Sequence, residues 1–138
     1  MTFPIDPLWA PVALRIVLGA TFIVHGLPKL KSLKGTGDFL AGIGFKPGIF
    51  WAFILGATEF VGGIAILLGI GSRIASGLLI ISMLIATLLK KFKWKVPFTK
   101  GNEAGWEWDL VLLGALIAVF ILGSGNWSID QMMGWIWG

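Results

Sequence analysis

Four long apolar stretches alternate with short polar ones along the chain, over about residues 8–27, 49–70, 73–89 and 106–122. Each approaches the roughly 20 apolar residues that an α-helix needs to cross a bilayer core. Arg15 and His25 interrupt the first run, and Pro28 is expected to end or kink it. The second carries Glu59 near its middle. Gly69-Ile70-Gly71-Ser72 leaves room only for a tight turn, so the second and third spans are expected to form an antiparallel hairpin. Gly123 and Gly125 close the fourth. Residues 29–48 read as a loop with Lys29, Lys31, Lys34 and Lys46, in which Phe39, Leu40, Ala41 and Phe45 dip into the interface. Residues 90–100 form a second basic loop, with Lys90, Lys91, Lys93, Lys95 and Lys100. The tail, 127–138, places Trp127, Met132, Met133, Trp135 and Trp137 among few charges and reads as an interfacial segment. The pattern predicts an all-α fold: one integral membrane domain over residues 1–138, built as a four-helix transmembrane bundle.

Composition strengthens this reading. Of 138 residues, 57% are hydrophobic and 13% charged, about half the charge of an ordinary soluble domain. The net charge of +4 is no nucleic-acid signature, because nine of the eleven basic residues are the lysines of the two loops. The positive-inside rule places those loops in the cytoplasm and both termini outside. With no cysteine, disulfides, thiol relays and thiolate metal sites are excluded. The single histidine leaves no facial triad or bis-histidine haem, so neither metal nor haem is expected. The first apolar run follows Pro4, Asp6 and Pro7 without a basic leader and is too long for a signal-peptide core, so no cleavable leader is expected.

The chemistry must lie in the few polar residues inside the spans. A carboxylate at bilayer midplane costs about 2–3 kcal/mol on insertion scales. Gly56 and Gly63 share a helical face with Glu59 and allow another helix to approach. Glu59 is therefore expected to point into the bundle, and Arg15 is its natural partner by depth, with Arg73 joining from the outer end of the third span. Arg15, Gly19, Phe22, Gly26 and Lys29 recur at 4-3-4-3 spacing on one face, flanked by His25. A His25–Glu107 contact is expected near the inner interface, giving a second cluster of His25, Lys29 and Glu107. Asp109 points nearly opposite Glu107 and reads as an N-terminal helix charge. Each of these residues also has a plain structural reading: register-fixing ion pairs, a backbone-bonded histidine, snorkelling lysines.

The order Arg15-x3-Gly19-x2-Phe22-x2-His25-Gly26-x2-Lys29, then Glu59-x3-Gly63, Leu67-Leu68-Gly69 and Arg73-x-Ala75, with Met83 and Ala86, resembles the first three helices of the DoxX family. Gly105-Trp106-Glu107 is similar to the start of that family's fourth helix, and Gly123-x-Gly125-Asn126-Trp127-Ser128-Ile129-Asp130 to its closing signature. The resemblance runs from about Leu14 to Asp130. It implies a four-helix bundle in the plasma membrane of a prokaryote and kinship with the membrane subunit of a thiosulfate:quinone oxidoreductase.

Two functional readings follow. In the first, the chain is a membrane subunit of a quinone-linked oxidoreductase. Glu59, His25 and Arg15 are its candidate catalytic residues, and Arg15, Lys29, Arg73 and Glu107 its candidate quinone-binding residues, with quinone as the bound substrate. Electrons must then come from the substrate or a partner subunit. In the second, the chain is a non-catalytic accessory or assembly subunit of a larger respiratory complex and its ion pairs are structural. A small-solute carrier is a weaker third, since no inverted repeat is visible. The partners implied are the bilayer and other membrane subunits or further copies of the chain, not nucleic acid.

Overall fold

The structure, a computed structural model, describes residues 4–135; the predicted interfacial residue Trp137 lies outside them. A short 3-10 turn, Pro7–Trp9, leads into α1 (Ala10–Lys31), followed by α2 (Leu33–Gly42), α3 (Gly48–Leu68), α4 (Ser72–Leu88), α5 (Glu107–Leu122) and α6 (Ile129–Met133). A π-helical turn, Leu89–Lys93, extends α4. No strand is present among the described residues. Residues 7–31, 48–68 and 72–93 are helices long and apolar enough to cross a membrane. α5 is shorter, 16 residues, and packs beside α4 and α1 as the fourth member of the bundle.

Two expectations change. Pro28 does not end the first helix, because it lies only three residues before the end and costs one backbone bond there. Residues 33–42, read as loop, form α2, whose Gly37 packs against the backbone of Gly48 and Ile49 at the start of α3. Gly35, Gly37 and Gly42 obscured the helical period, and tertiary packing overrides that weak propensity.

The bundle is inside-out relative to a water-soluble one. Large side chains such as Val24, Val61, Ile74 and Ile121 face outward, whereas Arg15, Glu59, Asp109 and Asp130 are buried. The apolar core gathers Leu18 and Phe22 of α1, Ile66 of α3, Leu79 and Met83 of α4, and Leu116 and Val119 of α5. α1 and α3 form the most extensive helix pair. Their approach is set by glycine: a Cβ on Gly19 would lie 2.9 Å from the Gly63 carbonyl oxygen, and one on Gly63 would lie 2.8 Å from the Ile23 nitrogen. Gly26 sits as tightly against Glu59 and Phe60. Interhelical packing of this kind is a main adhesive force in a lipid environment.

At one end, the α3–α4 turn meets residues 124–130, which in turn bond Asp6 and Leu8. Gly69 (φ 70°) and Gly71 (φ 53°) supply the left-handed conformations that the turn requires. The Asp130 carboxylate accepts from the Gly71 and Ser72 N–H groups and from the Ser124 hydroxyl, at 2.9, 3.4 and 2.6 Å. Asp6 accepts from the Leu8 N–H and the Asn126 amide, bonds that hold its carboxyl below the usual range. Arg15 completes this end. Its Nε donates to Ile66 O, Nη1 to Ser124 O and Asn126 O, and Nη2 to Leu67 O and Trp127 O, at 2.7–3.2 Å. All five guanidinium donors are thus used. The lysine-bearing segments gather at the other end, where Lys93 reaches the Ile43 carbonyl and Phe39 contacts Trp94.

Arg15→Met should take a donor from carbonyls of two segments, the end of α3 and the 124–127 loop, and lower stability by about 3 kcal/mol or more. Thermal unfolding in detergent reads this; Arg15→Lys, with three donors, should recover part of the loss, and a wild-type Tm for Arg15→Met would contradict the assignment.

Candidate functional site: an apolar cavity with a charged wall

The site begins with the register of α1 on α3. Gly19 meets Gly63 and Leu67, and Gly26 meets Glu59 and Phe60, with the two helices antiparallel. Lys29, three residues past Gly26 on the same face, therefore reaches Glu59, and the two form a direct ion pair. Glu59 is buried and Lys29 partly so. A pair taken out of water this far needs close geometry to offset its desolvation.

This pair lies in the wall of a cavity of about 540 Å³ bounded by α1, α2, α3, α4 and the π turn. That volume is within the range of sites for small organic ligands. His25, Lys29, Thr58, Glu59, Ser82 and Lys90 supply its polar groups. Leu55, Ile81, Met83 and the rings of Phe39, Phe45, Trp51 and Trp94 make the rest of the lining apolar. The arrangement suits a flat, mostly apolar molecule with polar groups at its edge. An ammonium can donate to such a group, and a carboxylate or imidazole beside it can take or give a proton.

Of the residues singled out from sequence, Glu59, His25 and Lys29 meet in this cavity, His25 as an exposed lining residue. The expected Arg15–Glu59 pair does not form. Arg15 lies four residues before Gly19 and is level with Ile66 and Leu67, seven or eight residues along α3 from Glu59. Its donors go to carbonyls in the last turn of α3, where the helix dipole favours a cation, and to the 124–127 loop. Arg73 does not join Glu59 either; it donates to the Ile121 carbonyl at the end of α5. Nor does Glu107 meet His25. It accepts from the Thr99 hydroxyl at 2.8 Å, at the edge of the basic loop.

Two residues gain roles that their patterns did not suggest. Asp109, read as a helix-terminal charge, is buried and accepts from Lys90 at 2.9 Å. Lys90, one lysine in a run of five, is turned inward by the π turn while Lys91 lies over the Trp106 ring. The signal available in the sequence was the place of Lys90, first after an uninterrupted apolar helix, opposite an acidic first turn of α5.

The sequence comparisons agree with this architecture. The model of the DoxX family matches residues 10–91, more than half of the chain and every helix that surrounds the cavity. The chain belongs to the DoxX family. This DoxX protein is 33% identical over 120 residues to a Bacillus subtilis protein named "Putative oxidoreductase CatD", covering 87% of this chain and 84% of that one. It is 31% identical to the Mycobacterium tuberculosis membrane protein Rv3486, over 88% of this chain and 80% of that one. It is 30% identical to the Escherichia coli inner membrane protein YqjF, over 89% and 91%. No solved structure matches. The Mycobacterium tuberculosis and Escherichia coli relatives are named as membrane proteins, in agreement with the apolar spans.

Lys29→Met should strand the buried Glu59 carboxylate and cost about 3 kcal/mol. Lys29→Met combined with Glu59→Leu should be closer to wild type than Lys29→Met alone. Unfolding of the two variants in one detergent measures this, and equal losses would show that the pair is not coupled.

Proposed function

We propose that this DoxX protein is the membrane subunit of an oxidoreductase and that its cavity binds the head group of a lipophilic quinone. The observation that carries the reading is a buried ion pair set in the wall of an otherwise apolar cavity large enough for a substituted ring. A structural pair alone needs no cavity beside it. The donor set fits a quinone: Lys29 is a cation able to bond a ring carbonyl, Thr58 and Ser82 add hydroxyls, and aromatic and aliphatic side chains cover the ring. Bound there, a quinone would supply a two-electron, two-proton acceptor. The chain's own part is to hold the ring, exclude water from its apolar face, and exchange protons through His25 and the Glu59 carboxylate. His25, which lines the same cavity, can take or give a proton there. The name of the Bacillus subtilis relative is in line with redox work. The electrons come from a partner subunit or directly from the donor substrate.

A second reading, an accessory subunit docked on a larger complex, draws on the far end of the bundle. There Trp127, Met132 and Met133 are 77%, 85% and 73% exposed. Both readings keep the lysine-rich end in the cytoplasm by the positive-inside rule.

Mass spectrometry of the protein gently extracted from its native membrane separates them. The quinone reading expects a retained quinone that Glu59→Gln loses while the variant stays folded. A stoichiometric partner complex with no quinone on this chain would instead support the accessory reading.

A further inference from the structure

The cavity has a second cation that the quinone reading does not use. Lys90 lines it from the π turn that ends α4, while Lys29 lines it from α1. Each ammonium has its own carboxylate on a neighbouring helix: Glu59 on α3 for Lys29, Asp109 on α5 for Lys90. The Lys90–Asp109 bond, 2.9 Å, uses one of three ammonium hydrogens. Asp109 is buried, and its Oδ2 has no hydrogen-bond partner among the described residues. Asp109 does not itself line the cavity, so it acts there only through Lys90. The π turn is also informative. Such turns re-aim side chains at a local cost and are frequent at functional sites. Here the turn carries Lys90 to the cavity and leaves its neighbours Lys91 and Phe92 exposed.

We propose that Lys90, positioned by Asp109, is a second ligand-binding cation of this cavity. The site is then matched to a ring with hydrogen-bond acceptors on two opposite edges, a para-dione, rather than to an amphiphile with one polar head. Lys29 and Lys90 each take one edge, and the aromatic and aliphatic lining covers the faces. The inference rests on the quinone reading, and it assigns Lys90 a contact with the ligand and Asp109 a positioning role.

The test uses the full chain in lipid nanodiscs, with calorimetric titration of two probes: para-naphthoquinone, and tetralone, which has one carbonyl on a similar ring. Empty nanodiscs provide the blank. Wild type should bind the dione about tenfold more tightly than the monoketone, the size of one charged hydrogen bond. Lys90→Met paired with Asp109→Leu removes both charges together, so no buried carboxylate is stranded, and thermal unfolding checks its fold. This double variant should lose the tenfold preference while tetralone affinity stays unchanged. Asp109→Asn, which keeps Lys90 but loosens it, should lose part of the preference. Equal weakening of both probes, or a preference that survives the double variant, would overturn the role of Lys90 and leave the quinone reading standing. Failure of wild type to bind either probe would overturn both.

Discussion

A carboxylate in the middle of an apolar span has to find its cation inside the protein, and in this bundle that need is met by the close approach of α1 to α3. Gly19, Gly26 and Gly63 remove the side chains that would hold the helices apart. The register they impose brings Lys29 level with Glu59 and carries Arg15 past it to the end of α3. A larger residue at any of the three would separate the helices, and with them the ion pair and the wall of the cavity. Lipid gives such contacts no hydrophobic reward, so shape and polar bonding decide the packing.

The two ends of the bundle divide the work. At the end where residues 124–130 meet the α3–α4 turn, Arg15 spends its five donors on backbone carbonyls, and Asp130 accepts from two backbone N–H groups and the Ser124 hydroxyl. That end is saturated and has the character of a clamp. At the lysine-rich end, cations and aromatic rings line a cavity, and the buried Asp109 Oδ2 has no hydrogen-bond partner among the described residues. Chemistry belongs where polar groups still have bonds to make.

Much of this was legible in the sequence. The apolar runs gave the spans, and the 4-3-4-3 face of α1 emerged as the face packed on α3, with Arg15, Phe22 and Gly26 buried along it. The inward direction of Glu59 followed from the cost of exposing it to lipid. The choice of partner did not follow. Depth counted from helix ends made Arg15 and Glu59 near neighbours, whereas interlocking glycines fix the true register, and that fit is a property of two surfaces together. The helix over Leu33–Gly42 was hidden by its three glycines, since it owes its form to packing on α3. Lys90 and Asp109 were hidden for a related reason: a π turn and a helix–helix contact set their directions, and neither has a period to detect.

The central claim is that the space between α1, α3 and α4 is a ligand site and not a packing defect. The most direct test is photolabelling of the full chain in nanodiscs with an azido-quinone, followed by peptide mapping of the adduct. The account expects labelling concentrated on the cavity segments, around Glu59 and between Ser82 and Lys90, and suppressed by excess unmodified quinone. Labelling spread over outward-facing positions such as Val61 and Ile121, and indifferent to competitor, would show a quinone dissolved in the surrounding lipid and would contradict it.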